Sequence, residues 1–279
     1  FARRPTIFVA TAKSEDVAPH SRLERAIAKR AQVTFARDAL TAAALARHGL
    51  NARWAGNVMM DGLQETGVTL PIRSDAVRVG ILPGSRSDAP QNARMAMRRL
   101  RRVVELLTAR RKSVQAFVSV APGACIDEIT QAIGAEGFAL TLTGSNYAVV
   151  AEGQTPGLDI IVVKGCFGDV LRASDIVLGQ AGTGNEQAAG LGRPVVAALE
   201  PDERPGQMRW YRMRQQRLLG EALLVLPSQD EEFARGVVEL LDNPVRRMSM
   251  ARIGRLKVGS SGAAAAIAEA ALDVGARSF

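Results

Sequence analysis

The loop at residues 82–86 combines backbone freedom with donors suited to an anion. It reads Leu82-Pro83-Gly84-Ser85-Arg86 and follows a run at 77–82 that is apolar apart from Arg78, which predicts a buried strand. Gly84 allows backbone to approach a ligand, Ser85 offers a hydroxyl, and Arg86 presents a planar donor suited to phosphate. The loop therefore predicts an anion contact, the alternative being a plain strand-to-helix turn with a surface arginine.

A second loop has the same character. Residues 176–178 predict a strand, and Gly179-Gln180-Ala181-Gly182-Thr183-Gly184-Asn185 leads from it into a predicted helix. The unpaired N–H groups at a helix start favour an anion, and glycines permit close contact. Glu186 and Gln187, in the first turn, can hydrogen-bond to sugar hydroxyls. This loop therefore predicts a phosphate site with sugar contacts beside it.

The second loop also resembles part of a dinucleotide-binding motif. Gly182, Gly184 and Gln187 nearly satisfy G-x-G-x-x-G, and Glu200 closes the next predicted strand 18 residues after Gly182. The third glycine is missing, however, and the loop lies late in its domain rather than after a first strand. A nicotinamide enzyme is therefore an alternative that the spacing disfavours.

Other reactive residues form no recognisable constellation. His20 and His48 are far apart in sequence, which favours surface or structural roles, and Cys166 is more typical of a small buried thiol than of a ligand. No Walker lysine follows Gly84, and no G-x-S-x-G elbow anchors hydrolase chemistry. Two cysteines cannot form a disulfide framework or a zinc cluster, so we expect a reducing compartment, and two histidines leave little material for a histidine metal site.

The charge is concentrated in one segment. The chain of 279 residues has a net charge of +8, with 47% hydrophobic and 23% charged residues, which excludes disorder as the main state. Between Gly84 and Lys112, nine basic residues are opposed only by Asp88 and Glu105, a balance of +7. This segment predicts peripheral contact with an anionic membrane, or simply a solvated helix face. With 4% aromatic residues the chain lacks stacking platforms, so we expect no nucleic-acid partner.

Short β-branched runs alternate with helical periods, which is typical of parallel α/β units. No apolar run approaches a membrane span. The sequence 56–75, rich in glycine and without a sustained period, indicates a domain boundary. Strands are predicted at 6–10, 33–36, 51–55, 77–82, 114–120, 138–142, 160–163, 176–178, 195–198 and 223–226. Helices are predicted at 38–48, 91–111, 126–133, 169–173, 185–191, 208–219, 231–241 and 262–274. Asp38 can cap the first of these helices, and Gly49 can supply the left-handed residue that ends it.

Several strings together resemble the lipid-A-disaccharide synthase-related proteins and, more distantly, other GT-B glycosyltransferases. The resemblance spans nearly the whole chain and is carried by 35–42, 56–63, Leu82-Pro-Gly-Ser-Arg, 181–194, 216–220 and 252–271. It implies a GT-B α/β fold: a Rossmann-like parallel sheet with helices on both faces, plus the remnant of a second α/β domain. Because the chain opens on Phe1 and soon enters a strand, we expect it to lack an N-terminal part.

The resemblance also implies a domain plan and a set of site residues. Residues 1–61 would be the C-terminal part of an acceptor domain, and residues 62–75 would be the linker between domains. Residues 76–261 would form the domain that binds the nucleotide sugar, and residues 262–279 would form a helix that packs back on the first domain. Donor contacts are expected from Gly84, Ser85, Arg86, Gly182, Thr183, Gly184, Asn185, Glu186 and Gln187. Candidate interdomain or donor contacts are Asn57, Asp61, Gln215 and Gln216.

Two departures from the family pattern matter. Counting back seven residues from Pro194, where many GT-B enzymes place a ribose-binding glutamate, reaches Gln187, with Glu186 one earlier. Both stay open, and we favour Glu186 because a carboxylate accepts from two hydroxyls at once. Pro205-Gly206 stands where related proteins tend to have Pro-Gln, so a sugar contact is expected to be absent.

The resemblance implies hexosyl transfer from a UDP-sugar to a lipid-linked or saccharide acceptor, in the cytoplasm or at the inner membrane face. It also implies that the reaction needs no metal and no cofactor, the UDP-sugar being the substrate. No residue matches the family's catalytic carboxylate, so the base is unassigned and we expect this chain alone to be inactive. Two alternatives remain: a UDP-sugar epimerase of related fold, and a non-catalytic module that binds nucleotide sugars or anionic membranes. Neither the sugar nor the oligomeric state follows from the sequence.

Overall fold

A computed structural model describes residues 5–10, 13–143, 148–201 and 207–276. The first elements are β1 (Ile7–Ala10), α1 (Arg22–Ala28), β2 (Val33–Ala36), α2 (Ala39–Arg47), β3 (Ala52–Arg53), α3 (Val58–Asp61), β4 (Ala76–Leu82), α4 (Ala89–Thr108), β5 (Ser113–Val120), α5 (Ile126–Gly134) and β6 (Thr141–Leu142). They are followed by β7 (Val149–Thr155), β8 (Leu158–Lys164), α6 (Phe167–Ala173), β9 (Ile176–Gly179), α7 (Thr183–Gly190), β10 (Val195–Leu199), α8 (Gln207–Leu219), β11 (Leu223–Pro227), α9 (Asp230–Asp242), α10 (Pro244–Val258) and α11 (Ala263–Ala276).

The chain divides into two compact units, and their bounds differ from the predicted ones. One unit comprises residues 1–62 and 255–279, and the other residues 63–254. Residues expected to act as a linker pack within the second unit: Leu70 is buried beside Phe117, and Arg73 N–H donates to Gln115 Oε1 over 3.0 Å. The acceptor and donor roles of the two units stay predictions.

The first unit is a three-stranded parallel sheet in the order β1-β2-β3. The predicted cap of α2 is confirmed, because Asp38 Oδ1 accepts from Thr41 N–H over 2.7 Å. Gly49, at φ +76°, follows the helix end as expected. Helix α1 was not predicted, although Ser21 and Glu24 form a capping box that is readable in the sequence.

The second unit is built on an eight-stranded sheet in the order β11-β10-β9-β4-β5-β8-β7-β6. The six strands from β11 to β8 are parallel, and β7 and β6 extend the sheet antiparallel. Ala116 and Val118 of β5 belong to the core formed with α4, α5 and α9, whereas Phe117 between them packs with α6. Helices thus cover both faces, and the expected α/β fold class is confirmed.

Three predictions of secondary structure need correction. The strand predicted at 138–142 is only Thr141–Leu142, and β7 replaces the expected loop. The polar residues of β7 hide its strand character, and Gly157, at φ +78°, turns the chain straight back into β8. Helix α10 was missed because its sequence has no apolar face.

The basic helix is not the open cationic face that its sequence suggests. Six of the nine basic side chains form ion pairs with six carboxylates. Arg94 pairs with Glu136, Arg98 with Asp230, Arg99 with Glu200, Arg102 with both Glu105 and Glu231, and Arg110 and Lys112 both pair with Asp242. Arg99 is only 2% exposed, so its assignment to a solvated face is wrong. The pairing leaves much less free charge for a membrane. No helix in the described ranges is long and apolar enough to cross one.

Candidate functional site

The two predicted loops lie side by side at the point where the strand order reverses. From β4 the chain proceeds to β5 and β8 on one side, and β9 later pairs on the other side of β4. Leu82, which ends β4, is paired with Gly179, which ends β9, and Gln180 N–H donates to Leu82 O over 3.1 Å. Ligands of open parallel sheets bind in such a crevice, at the carboxyl ends of the strands.

The first loop holds two polar side chains in solvent. Gly84 adopts φ +105°, a conformation that favours glycine, and Asn92 Nδ2 donates to Pro83 O over 2.9 Å to anchor the turn. Ser85 and Arg86 are exposed, and within the described residues neither side chain has a hydrogen-bond or ion-pair partner. They can therefore turn toward a ligand without first breaking a contact.

The second loop brings the start of α7 to the same crevice. Gly182 is the N-cap residue, and the first amides, those of Thr183 and Gly184, have no carbonyl partner within the helix. Thr183 is exposed. Gly184 is closely packed, since an added Cβ would lie 3.2 Å from Ala181 Cβ. Helix amides, a hydroxyl and the loop after β4 are thus available together for an anionic ligand.

Asn185 has a different position from the one expected of a donor contact. Its side chain is fully buried, and Nδ2 donates to Gly179 O over 3.0 Å and to Gln215 Oε1 over 3.3 Å. Gln215 Nε2 in turn donates to Ala181 O and Gly182 O, each over 3.2 Å. Both side chains hold the loop rather than face solvent. Gln216 is exposed, in a separate cleft of about 610 Å³ between α8, β11 and α10.

Polar side chains that sequence reasoning missed form a buried network under this loop. Gln180 Nε2 donates to Glu200 Oε1 over 3.1 Å, and Gln180 Oε1 accepts from Arg212. Glu200 also pairs with Arg99, whose Nη2 lies 2.9 Å from Oε2. The charged members come from α4, from the residue that follows β10, and from α8, so only tertiary packing brings them together. The sequence signal for this network was that Arg212 and Gln215 are three residues apart on one predicted helix, which places them on the same face.

Tyr211 covers the start of α7. A Cβ added to Gly182 would lie 2.8 Å from the Tyr211 hydroxyl oxygen, so glycine is needed there for the close approach. Glu186 and Gln187 are both half-buried and both make contacts, so the position of neither selects one of them for the ribose. Pro205-Gly206 lies outside the described residues. The choice between Glu186 and Gln187 stays a prediction.

The remaining candidates have structural contacts. In the first unit, Asn57 caps α3 through Met59 N–H at 3.1 Å and donates to Val258 O at 3.0 Å, while Asp61 accepts from the first amides of α11. Burial, reinforced by Asp169, raises the pKa of the Cys166 thiol to about 11, so it is a poor nucleophile. Among the described residues, no three metal-ligating side chains come together.

Comparison with solved structures shows the fold. The UDP-GlcNAc 2-epimerase from Neisseria meningitidis bound to UDP-GlcNAc aligns with a TM-score of 0.55 and 16% identity, over 90% of this chain and 63% of that one. MurG from Acinetobacter baumannii aligns with a TM-score of 0.51 and 11% identity, over 92% and 63%. The chain thus spans less than two thirds of either neighbour. No family model and no curated protein matches it.

Proposed function

We propose that the crevice between the ends of β4 and β9 binds the diphosphate of a UDP-sugar. The observation that carries this proposal is the meeting of the two loops: Gln180 N–H bonds to Leu82 O, next to exposed Ser85, Arg86 and Thr183. A guanidinium, hydroxyls and the amides at a helix start are the donors that a diphosphate needs. The likeness in fold to a structure holding UDP-GlcNAc supports the same ligand.

The reaction we propose is hexosyl transfer to a lipid-linked or saccharide acceptor. The acceptor hydroxyl oxygen forms a bond to the sugar's anomeric carbon, the bond from that carbon to UDP breaks, and the hydroxyl proton passes to a base that we do not assign. Arg86 and the amides of α7 stabilise the negative charge that develops on the departing UDP. The resemblance to lipid-A-disaccharide synthase-related proteins supports a glycolipid acceptor.

UDP-sugar epimerisation is the second candidate. It is favoured by the likeness to the Neisseria meningitidis 2-epimerase, which has a TM-score of 0.55. The same diphosphate contacts would serve both reactions, since each handles a nucleotide sugar at the same crevice. The two reactions differ in whether an acceptor is consumed, so product analysis separates them.

Calorimetry with UDP and with NADH tests the ligand class. We expect UDP to bind more tightly, because the third glycine of the dinucleotide motif is missing, and tighter binding of NADH would refute the proposal. Incubation of the full-length protein with UDP-GlcNAc, with and without lipid extract, then tests the reaction by NMR. Release of UDP only when lipid is present indicates transfer, whereas a new UDP-sugar without lipid indicates epimerisation.

A further inference from the structure

The buried network beneath the second loop carries an excess positive charge. It joins Arg99 and Arg212, each 2% exposed, to Glu200 through Gln180. At its edge Asp230 approaches Arg99 Nε at 3.6 Å and pairs with Arg98 at 2.8 Å. Asp230 is thus paired at the edge with the exposed Arg98, and among the described residues the two buried guanidinium groups, Arg99 and Arg212, share the single carboxylate of Glu200, which leaves one positive charge in excess.

Among the described residues, Arg212 is the member of the network without an anionic partner of its own. Its Nη1 donates to Gln215 Oε1 over 2.8 Å and its other Nη to Gln180 Oε1, both neutral amide oxygens. Its Nε is buried and has no hydrogen-bond partner, and among the described residues no carboxylate lies within ion-pair distance. Burial lowers the pKa of this guanidinium, but a guanidinium is not deprotonated in proteins, so Arg212 stays charged. A buried, unpaired cation is costly unless something else compensates it.

The position of Arg212 indicates what compensates it. It donates directly to Gln180 of the second loop, and Gln215 links it to the start of α7, because Gln215 accepts from Arg212 and donates to Gly182 O. The preceding residue, Tyr211, brings its hydroxyl to the same glycine. Charge buried in protein is screened less than surface charge, so its field at the helix start is strong.

We propose that Arg212 is a positioning residue whose buried charge selects a doubly charged diphosphate at the start of α7. It acts without touching the ligand. Its positive charge raises the electrostatic potential at the start of α7, and its guanidinium group, by donating to Gln180 and Gln215, holds both side chains in place. The inference rests on the proposed UDP-sugar site and adds the source of its preference for diphosphate over an uncharged nucleoside. Glu200 opposes Arg212 in the same network and should weaken that preference.

The test compares UDP with uridine, which shares the nucleoside but has no charge. Kd values are measured by calorimetry for UDP and by ligand-observed NMR for uridine. Arg212→Gln should weaken UDP binding about tenfold or more and leave uridine unchanged, whereas Arg212→Lys should keep most of the UDP affinity. Glu200→Gln removes the opposing charge and should tighten UDP binding. Arg217→Gln, an exposed arginine on the same helix, is the matched control and should change neither.

Arg212→Gln and Glu200→Gln are expected to change the affinity for UDP in opposite directions, so the inference stays testable even if one of the two variants folds poorly. A structural role would weaken both ligands equally in Arg212→Gln and would make Glu200→Gln weaker rather than tighter; either result overturns the proposal. If the wild-type protein binds no UDP, the proposed function itself fails, and the inference fails with it. If UDP binds and only the pattern among variants differs, the proposed function stands and the charge selection does not.

Discussion

Replacing Gly254 with alanine should expose how closely α10 approaches α7. An added Cβ would lie 2.2 Å from Ala189 O and 2.9 Å from Ala189 C, and these are backbone atoms that cannot rotate away. The helices would have to separate by about 1 Å, and overpacking of this kind costs up to about 3 kcal/mol. Better helix propensity returns about 1 kcal/mol. The net loss of about 2 kcal/mol should lower Tm by roughly 4–8 °C.

Gly134→Ala is the matched control for this experiment. Gly134 ends α5, and a Cβ there would meet nothing within 4 Å. Helix propensity alone then applies, so we expect stability to be unchanged or raised by up to about 1 kcal/mol. Differential scanning fluorimetry and urea unfolding of both variants provide the measurement. Equal Tm values for the two variants would refute the argument that backbone contact, rather than glycine itself, determines the cost.

Four further outcomes are expected. Arg86→Ala should weaken UDP binding about tenfold to a hundredfold in calorimetry, the range for a charge-assisted hydrogen bond, while Arg217→Ala changes little. Glu186→Ala should lose more UDP affinity than Gln187→Ala, and the reverse order would assign the ribose to the amide. Anionic liposomes should retain the protein in flotation only at low salt, because ion pairs occupy most of the basic helix; retention at physiological salt would contradict this. With its pKa raised to about 11, the buried Cys166 should resist iodoacetamide at pH 8 until the protein unfolds, whereas the exposed Cys125 should react. Equal labelling of the two cysteines in the folded protein would show that the Cys166 thiol is accessible.

Much of the fold could be predicted because its signals are local. Continuous apolar runs predicted β4, β5, β9, β10 and β11 to within a few residues, since a strand covered on both faces needs nearly every side chain apolar. The cap at Asp38 and the glycine after α2 were predicted from chemistry confined to one turn. Strand β7 and helix α10 escaped prediction because β7 contains polar residues and α10 has no apolar face, so nothing local in their sequence indicates the element.

The sequence by itself determined the alternation of strands and helices, and the two loops with groups suited to an anion. It also contained Arg99 and Arg212, but nothing in their local sequence distinguishes them from solvated arginines. Only the tertiary structure decided that β9 pairs beside β4, which brings the two loops together. It also decided that Glu200 pairs with Arg99, whereas the hydrogen-bond partners of Arg212 among the described residues are amide oxygens. The reason is physical: strand order and the partners of a charge are set by non-local packing, whereas propensity, caps and apolar periodicity act within a few residues.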